Sequence, residues 1–237
     1  MKLLLYCTKG KPLFRSSGDY DDDWGFNNFF DEYVCARDYY NYHRDYETVD
    51  EEDLLNGKIV AECDFEVEEI SVTYADYYHE ELAYDTNILT YDELLEKSCL
   101  NNQQLDNYLY GDNGYAIHIK NLHIFNKPRE LKDYYKQLSS KEYFTKINEL
   151  GYRPKEWLNV PVFISKYLAV QSILEPLKNA PQNMMYICEY DKSTSIEDYY
   201  KTNILISIHP EWLCKILNGE KTIEVRRKIL QVMKNEI

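Results

Sequence analysis

Apolar and acidic residues alternate over residues 63–67, where Cys63, Phe65 and Val67 are separated by Asp64 and Glu66. A period of two places like side chains on one face of an extended segment. It predicts a long strand over residues 58–72 with one buried face and one wet face. Asn56-Gly57, just ahead of it, is a turn signal. Shorter runs predict strands at residues 3–8, 114–119, 122–125, 184–189, 203–208 and 222–226. Helical patterns cover residues 90–97, 101–110, 129–138, 141–150, 160–178 and 209–217, with breaks at Gly151, Pro154 and Pro161. Thr90 followed by Glu93 has the capping-box spacing. Gly111 ends the second helix, and Pro210 and Asn218-Gly219 frame the last one. Strands and helices mix without a regular βαβ repeat, so the expected class is α+β with a barrel-like sheet.

Length and composition narrow this further. The 237 residues suit one large domain or two small ones, and 44 % hydrophobic content is enough for a real core. With only 8 Gly and 7 Pro, collagen-like and low-complexity chains are excluded. No apolar run approaches the roughly 18 residues of a spanning helix. The apolar start at Leu3-Leu4-Leu5 is too short for a signal segment, and Lys9 and Lys11 follow at once. A cytoplasmic protein with no membrane attachment is expected. The 6 Cys are spread along the chain without a Cys-x-x-Cys pair, and read as reduced thiols, mostly core. His118 and His123, five apart in a strand, point to opposite faces, so no metal or other cofactor is expected.

Charge changes the picture because it is unevenly placed. Residues 19–96 hold 25 acidic and 3 basic side chains, a net −22, so the rest of the chain carries +8 of the overall −14. The acidic block contains Asp21-Asp22-Asp23, Asp50-Glu51-Glu52-Asp53 and, between them, Tyr33, Tyr39, Tyr40, Tyr42 and Tyr46. It reads as an acidic, Tyr-rich insertion over residues 16–55. It is either a plain solvated face, or a surface that imitates the phosphates of nucleic acid for a protein partner, or a flap over a basic site elsewhere. The mildly basic remainder keeps a nucleic-acid cleft possible despite the acidic total.

The end of the chain carries a motif. Gly219, Lys221, Glu224 and Arg226 have the spacing Gly-x-Lys-x-x-Glu-x-Arg, after a strand at 204–208 and the helix from His209. On a strand, Thr222, Glu224 and Arg226 share one face, opposite Lys221, Ile223 and Val225. Ile223 and Val225 are expected in the core, with Thr222, Glu224 and Arg226 facing a cleft, unless a bulge after Gly219 re-aims Lys221 as well. This segment resembles the opening of an ASCH domain, a member of the PUA-like superfamily of small β-barrels. Other family segments are matched by Leu5-Tyr6-Cys7-Thr8-Lys9, by the strand from Gly57 to Cys63, and by Ser98-Cys99. Further matches are Gly114-Tyr115-Ala116-Ile117-His118-Ile119, Asn126-Lys127-Pro128-Arg129-Glu130-Leu131 and the run from Ala180 to Tyr186. In the family the motif at 219–226 precedes all of these; here it follows them. The chain therefore resembles a circularly permuted ASCH domain of bacterial or phage type, one domain over residues 1–237. It would carry the acidic insertion at 16–55, a helical insertion at 139–178, and the motif in a strand–helix–strand at 203–227. A truncated second copy, or a segment that completes a neighbour's barrel in a swapped dimer, remain alternatives to a closed monomer.

The resemblance implies a small cleft that binds RNA, DNA or a modified nucleoside. The ligand-binding residues it implies are Lys221, Thr222, Glu224, Arg226, His118, Gln182, Ser98, Tyr6 and Thr8. Some ASCH proteins are amidohydrolases of acylated cytidine, but the position of their nucleophilic Thr is Glu224 here. Others are ribonucleases, and for such chemistry Lys221, Glu224 and His118 are the catalytic candidates, with Glu62 and Arg226 supplying further suitable groups. Plainer roles stand beside these. They are a structural His118, Ser98-Cys99 as cap and core, Gln182 satisfying backbone groups beside Pro181, and Tyr6 and Trp212 as core aromatics.

Overall fold

The computed structural model describes residues 1–15, 33–35, 54–76, 81–165, 168–189 and 201–234. Most of the acidic insertion expected at 16–55 lies outside the described residues, as does its run from Tyr39 to Tyr46. The strands are β1 (Leu3–Cys7), β2 (Leu13–Arg15), β3 (Tyr33–Cys35), β4 (Lys58–Asp76), β5 (Glu81–Thr86) and β6 (Gly114–Glu130). They continue with β7 (Tyr134–Leu138), β8 (Leu158–Ser165), β9 (Leu168–Pro176), β10 (Met184–Glu189), β11 (Lys201–Ile208) and β12 (Ile223–Arg226). The helices are α1 (Tyr91–Ser98), α2 (Asn102–Leu109), α3 (Ser140–Leu150), α4 (Pro210–Leu217) and the short α5 (Gln231–Lys234). This is the α+β class expected.

Ten strands form one mixed sheet in the order β12-β6-β4-β1-β11-β10-β7-β9-β8, with β5 added to β4. β1 lies at its centre, antiparallel to β4 and parallel to β11, with Leu3 opposite Ile204 and Cys7 opposite Ile208. Both faces of this pair are covered, which is why Leu3-Leu4-Leu5-Tyr6-Cys7 is buried at every position. Leu3, Leu5, Cys7, Ile204, Ile206 and Ile208 pack with Leu213, Ile216 and Leu217 of α4. Leu4 and Tyr6 turn the other way, toward Phe125, Tyr134, Leu177 and Ile187. A separate cluster joins Leu94, Leu105 and Leu109 of α1 and α2 to Ala116, Ile223 and Val225.

The barrel expected from sequence is replaced by an open sheet. β11 already has both edges occupied, by β1 and β10, and β10 continues the sheet through β7. No pairing among the described residues therefore returns β12 to β11 or to the far edge β8. The sheet nevertheless curls. β4 and β6 pair through irregularities at Ile59/Ala61 and Glu62/Asp64, and Asn121 takes a left-handed φ of 49°. Such bulges bend a strand pair and increase its twist. The curl brings the two arms within side-chain reach. Arg226 donates to the Ser207 carbonyl at 2.6 Å, and Asn183 Nδ2 donates to the Lys228 carbonyl at 3.0 Å.

Two expected helices are strands. Residues 129–138 finish β6, pass through one 3₁₀ turn at Leu131–Asp133 and form β7. Residues 160–178 fall largely in the β8–β9 hairpin, so only α3 of the expected helical insertion at 139–178 is helical. Pro161 is tolerated because β8 is the sheet's edge strand. The two strands expected at 114–119 and 122–125 are one, β6. The other expected elements fall close to where the patterns place them, while β2, β3, β5 and α5 are not among those expected, and Thr90 and Glu93 form the full capping box of α1. The C-terminal strand–helix–strand is built into the same sheet, through β11 on β1 and β12 on β6. Cys7, Cys63 and Cys188 are buried, and burial pushes the Cys7 and Cys63 thiols up to about 12. No helix among the described residues is long and apolar enough to cross a membrane.

Candidate functional site

The motif residues meet at a cleft of about 520 Å³ between α2, the start of α4 and β12. Its walls include Lys221, Glu224 and Arg226 from the motif, Ser207 and His209 from the end of β11 onward, and Trp212 from α4. Gln104, Asn107 and Tyr108 line the facing wall; they lie three and four residues apart on α2, on one side of the helix.

Three charges share this small volume. The Lys221 side chain is 3 % exposed, Glu224 10 % and Arg226 12 %. Lys221 Nζ lies 3.4 Å from Glu224 Oε2, and Arg226 donates to Glu224 Oε1 at 3.0 Å. Lys221 Nζ also donates to the Ser98 carbonyl at 2.6 Å. That carbonyl is one of the last of α1, whose chain turns away through Cys99 in the left-handed region. The final carbonyls of a helix lack intrahelical partners and carry the negative end of its dipole, so an ammonium is a fitting partner there. Burial lowers the Lys221 pKa, and Glu224 opposes that shift. Arg226 is gripped on two sides, by Glu224 and by the Ser207 carbonyl, while its buried Nε has no partner among the described residues.

The strand phase expected around the motif is corrected at Thr222. Gly219 takes a left-handed φ of 77°, and the Lys221 amide bonds back to the Lys215 carbonyl at the end of α4. The chain enters β12 only at Ile223, so Lys221 turns inward beside Glu224 and Thr222 is left exposed. The alternative in which the turn re-aims Lys221 is the one found. Among the described residues Thr222 makes only backbone bonds, its amide to the Lys97 carbonyl and its carbonyl from the Ile119 amide. Thr222→Ala is therefore expected to leave thermal stability within about 0.5 kcal/mol of wild type, and ligand affinity unchanged. Parallel melting and binding curves check both.

The other sequence candidates divide. Ser98 joins through its main-chain carbonyl, its own hydroxyl bonding to the Leu95 carbonyl. Tyr6 and Thr8 line a second cleft on the far side of Ser207. Gln182 is exposed beside Pro181 and lines neither cleft. His118 is not brought to the motif. Register pairs it with Ile223, on the sheet face away from Glu224. There its Nε2 lies 2.7 Å from Oε1 of Glu68, a carboxylate 2 % exposed whose Oε2 accepts the Ile88 amide. Glu62 instead lies near His123, 3.6 Å from its Nδ1. The group His118, Glu62, Lys221 and Arg226 is thus not assembled. Among the described residues no three His, Cys, Asp or Glu side chains gather as a metal site.

Sequence reasoning missed the α2 wall and Ser207. The signal for the former was available: Gln104, Asn107 and Tyr108 fall on the face of α2 that Leu105 and Leu109 leave to the outside. Three cations also flank the aromatic rings. Lys215 and Lys221 each place Nζ 5.2 Å from the Trp212 ring, and Arg227 lies 5.6 Å from Tyr108. In comparisons with protein-family models, with curated proteins and with solved structures, none matches this chain.

Proposed function

We propose that the Lys221–Glu224–Arg226 cleft is the ligand site of a nucleic-acid-binding module, a circularly permuted, PUA-like ASCH domain that recognises a base or modified nucleoside in RNA or DNA. The observation that carries this is the buried Lys–Glu–Arg cluster in a cleft wall. Burying three charges is costly, and a hydrophobic replacement of such a cluster is often neutral or stabilising. Desolvated charges in a concave site, one of them a lysine whose pKa burial lowers, mark a candidate site of function. The surroundings suit a base: Trp212 and Tyr108 offer ring surface, and Gln104 and Asn107 offer amides that both donate and accept. Among the lining residues Lys221 and Arg226 outnumber Glu224, and Lys215 and Arg227 flank the two rings, inside a chain of net charge −14. Such local potential concentrates an anionic ligand whatever the total charge. The resemblance also gains support from the placement of β1 beside β11, since a permuted chain must seat both ends of the family order in one sheet.

Binding, rather than catalysis, is the function the geometry favours. Glu224 stands where the amidohydrolase nucleophile would be and is held between two cations, and His118 lies on the other sheet face. The test is a titration at about 50 mM salt with short single-stranded RNA and DNA, the four ribonucleosides and an acylated cytidine. Saturable binding that competes with modification of the cleft supports the proposal. No binding of any of these probes overturns it.

A further inference from the structure

We propose that the second cleft is a phosphate-binding extension of the first, so that the protein holds a single-stranded polynucleotide across Ser207, more tightly than it holds a free nucleoside. This rests on the nucleic-acid reading of the first cleft and specifies its ligand. The second cleft has a volume of about 680 Å³, within the range of real binding sites. Ser207 lines both clefts. Its carbonyl accepts from Arg226 of the first, and its hydroxyl donates at 2.6 Å to the carbonyl of Pro181, which lines the second.

The chemistry of the two clefts differs in a way that fits a nucleotide strand. The second draws three lysines from three separate parts of the chain: Lys9 after β1, Lys132 from the 3₁₀ turn after β6, and Lys178 after β9. One carboxylate lines it, Glu130, which lies 3.9 Å from the ammonium of Lys58. Lys9 is seated over Gly57 at φ +80°, where an added Cβ would come 3.7 Å from Lys9 Cε and 3.8 Å from the Tyr6 hydroxyl. Lysines are point charges that grip phosphate without reading sequence. The first cleft supplies what the second lacks in accessible form, ring surface beside amides; Tyr6 is only 6 % exposed. An unstacked base in the first cleft would carry its flanking phosphates past Ser207 onto the lysines, which is how single strands are held.

The experiment uses the full chain and its K9A/K132A/K178A variant. All three lysines are exposed, and a thermal melt checks that the variant is folded. Fluorescence anisotropy follows a short random-sequence strand in an RNA arm and a DNA arm, and calorimetry follows the four ribonucleosides. The variant is expected to lose at least about tenfold in strand affinity at low salt. Its plot of log K against log salt should be shallower by about 2, from about 0.7 per lost phosphate contact, with nucleoside binding unchanged. Binding in one arm only names the sugar that is preferred. Wild-type strand affinity and salt slope in the variant would overturn the proposal. So would a wild type that binds nucleosides but no strand, a result that leaves the first cleft's assignment standing. A wild type that binds neither overturns both.

Discussion

Glu224→Ala is expected to cost about 3 kcal/mol or more of folding stability, read as a lower urea midpoint at unchanged slope. The carboxylate lies between Lys221 Nζ at 3.4 Å and Arg226 at 3.0 Å, and all three side chains are about nine-tenths buried or more. Removing it leaves two like charges close together with little water to solvate them. For a domain whose total stability is about 5–15 kcal/mol, such a loss is large. Glu224→Gln keeps the shape and one acceptor, and should fall between the two. Adding Lys221→Met to Glu224→Ala removes one uncompensated cation and should restore part of the loss. The pH dependence gives an independent check. Burial already lowers the Lys221 pKa from its ordinary 10.5, so below that value the unfolded chain binds the proton more readily than the native one. Stability therefore rises with pH between the native and unfolded pKa values. Without Glu224 to oppose the shift, the variant's deficit should narrow as the solution becomes alkaline. A midpoint equal to that of wild type would mean that the three charges are not coupled.

Glu224 and Arg226 could be singled out from sequence because their motif spacing lies within one strand. What that spacing omits is where their partners come from. Lys221 finds the Ser98 carbonyl at the end of α1, and Arg226 finds the Ser207 carbonyl four strands away in sheet order. Neither partner is a side chain, so neither carries a compositional signal. The same division runs through the fold. β1, β11, α1 and α4 are local decisions, made by continuous apolar runs, a capping box and a Pro at the first turn. β7 is not. Tyr134 and Leu138 are four apart and both buried, a helical spacing, yet the segment pairs with β9 and β10. Pairing partners distant in sequence override a local period. His118 shows the sharpest limit. One residue of register sets it behind the sheet from Glu224, and a shift of one reverses every side chain of a strand.

Arg226→Lys is expected to weaken strand binding by about tenfold to a hundredfold while keeping the formal charge of the cleft. The guanidinium holds Glu224 Oε1 and the Ser207 carbonyl, and still presents a buried Nε with no partner among the described residues. A planar fork can serve several acceptors from one fixed position; an ammonium on a flexible stem cannot. Lysine here must choose among the carboxylate, the carbonyl and the ligand. Each charge-assisted hydrogen bond forgone costs about 1.5–3 kcal/mol. Some of that loss falls on stability, because the Arg226–Ser207 contact also ties β12 to the end of β11 across the curled sheet. Anisotropy titrations below the variant's melting temperature separate the two effects, with Thr222→Ala as the neighbouring control. If only bulk charge matters, Arg226→Lys binds like wild type and the planar geometry of Arg226 has no part in recognition. If the fork matters, affinity falls while the slope of log K against log salt stays the same, since no cation has been removed. That pairing of a lost affinity with an unchanged slope is the mirror of the result expected for the lysines of the second cleft, and it would separate the group that orients the base from those that hold the backbone.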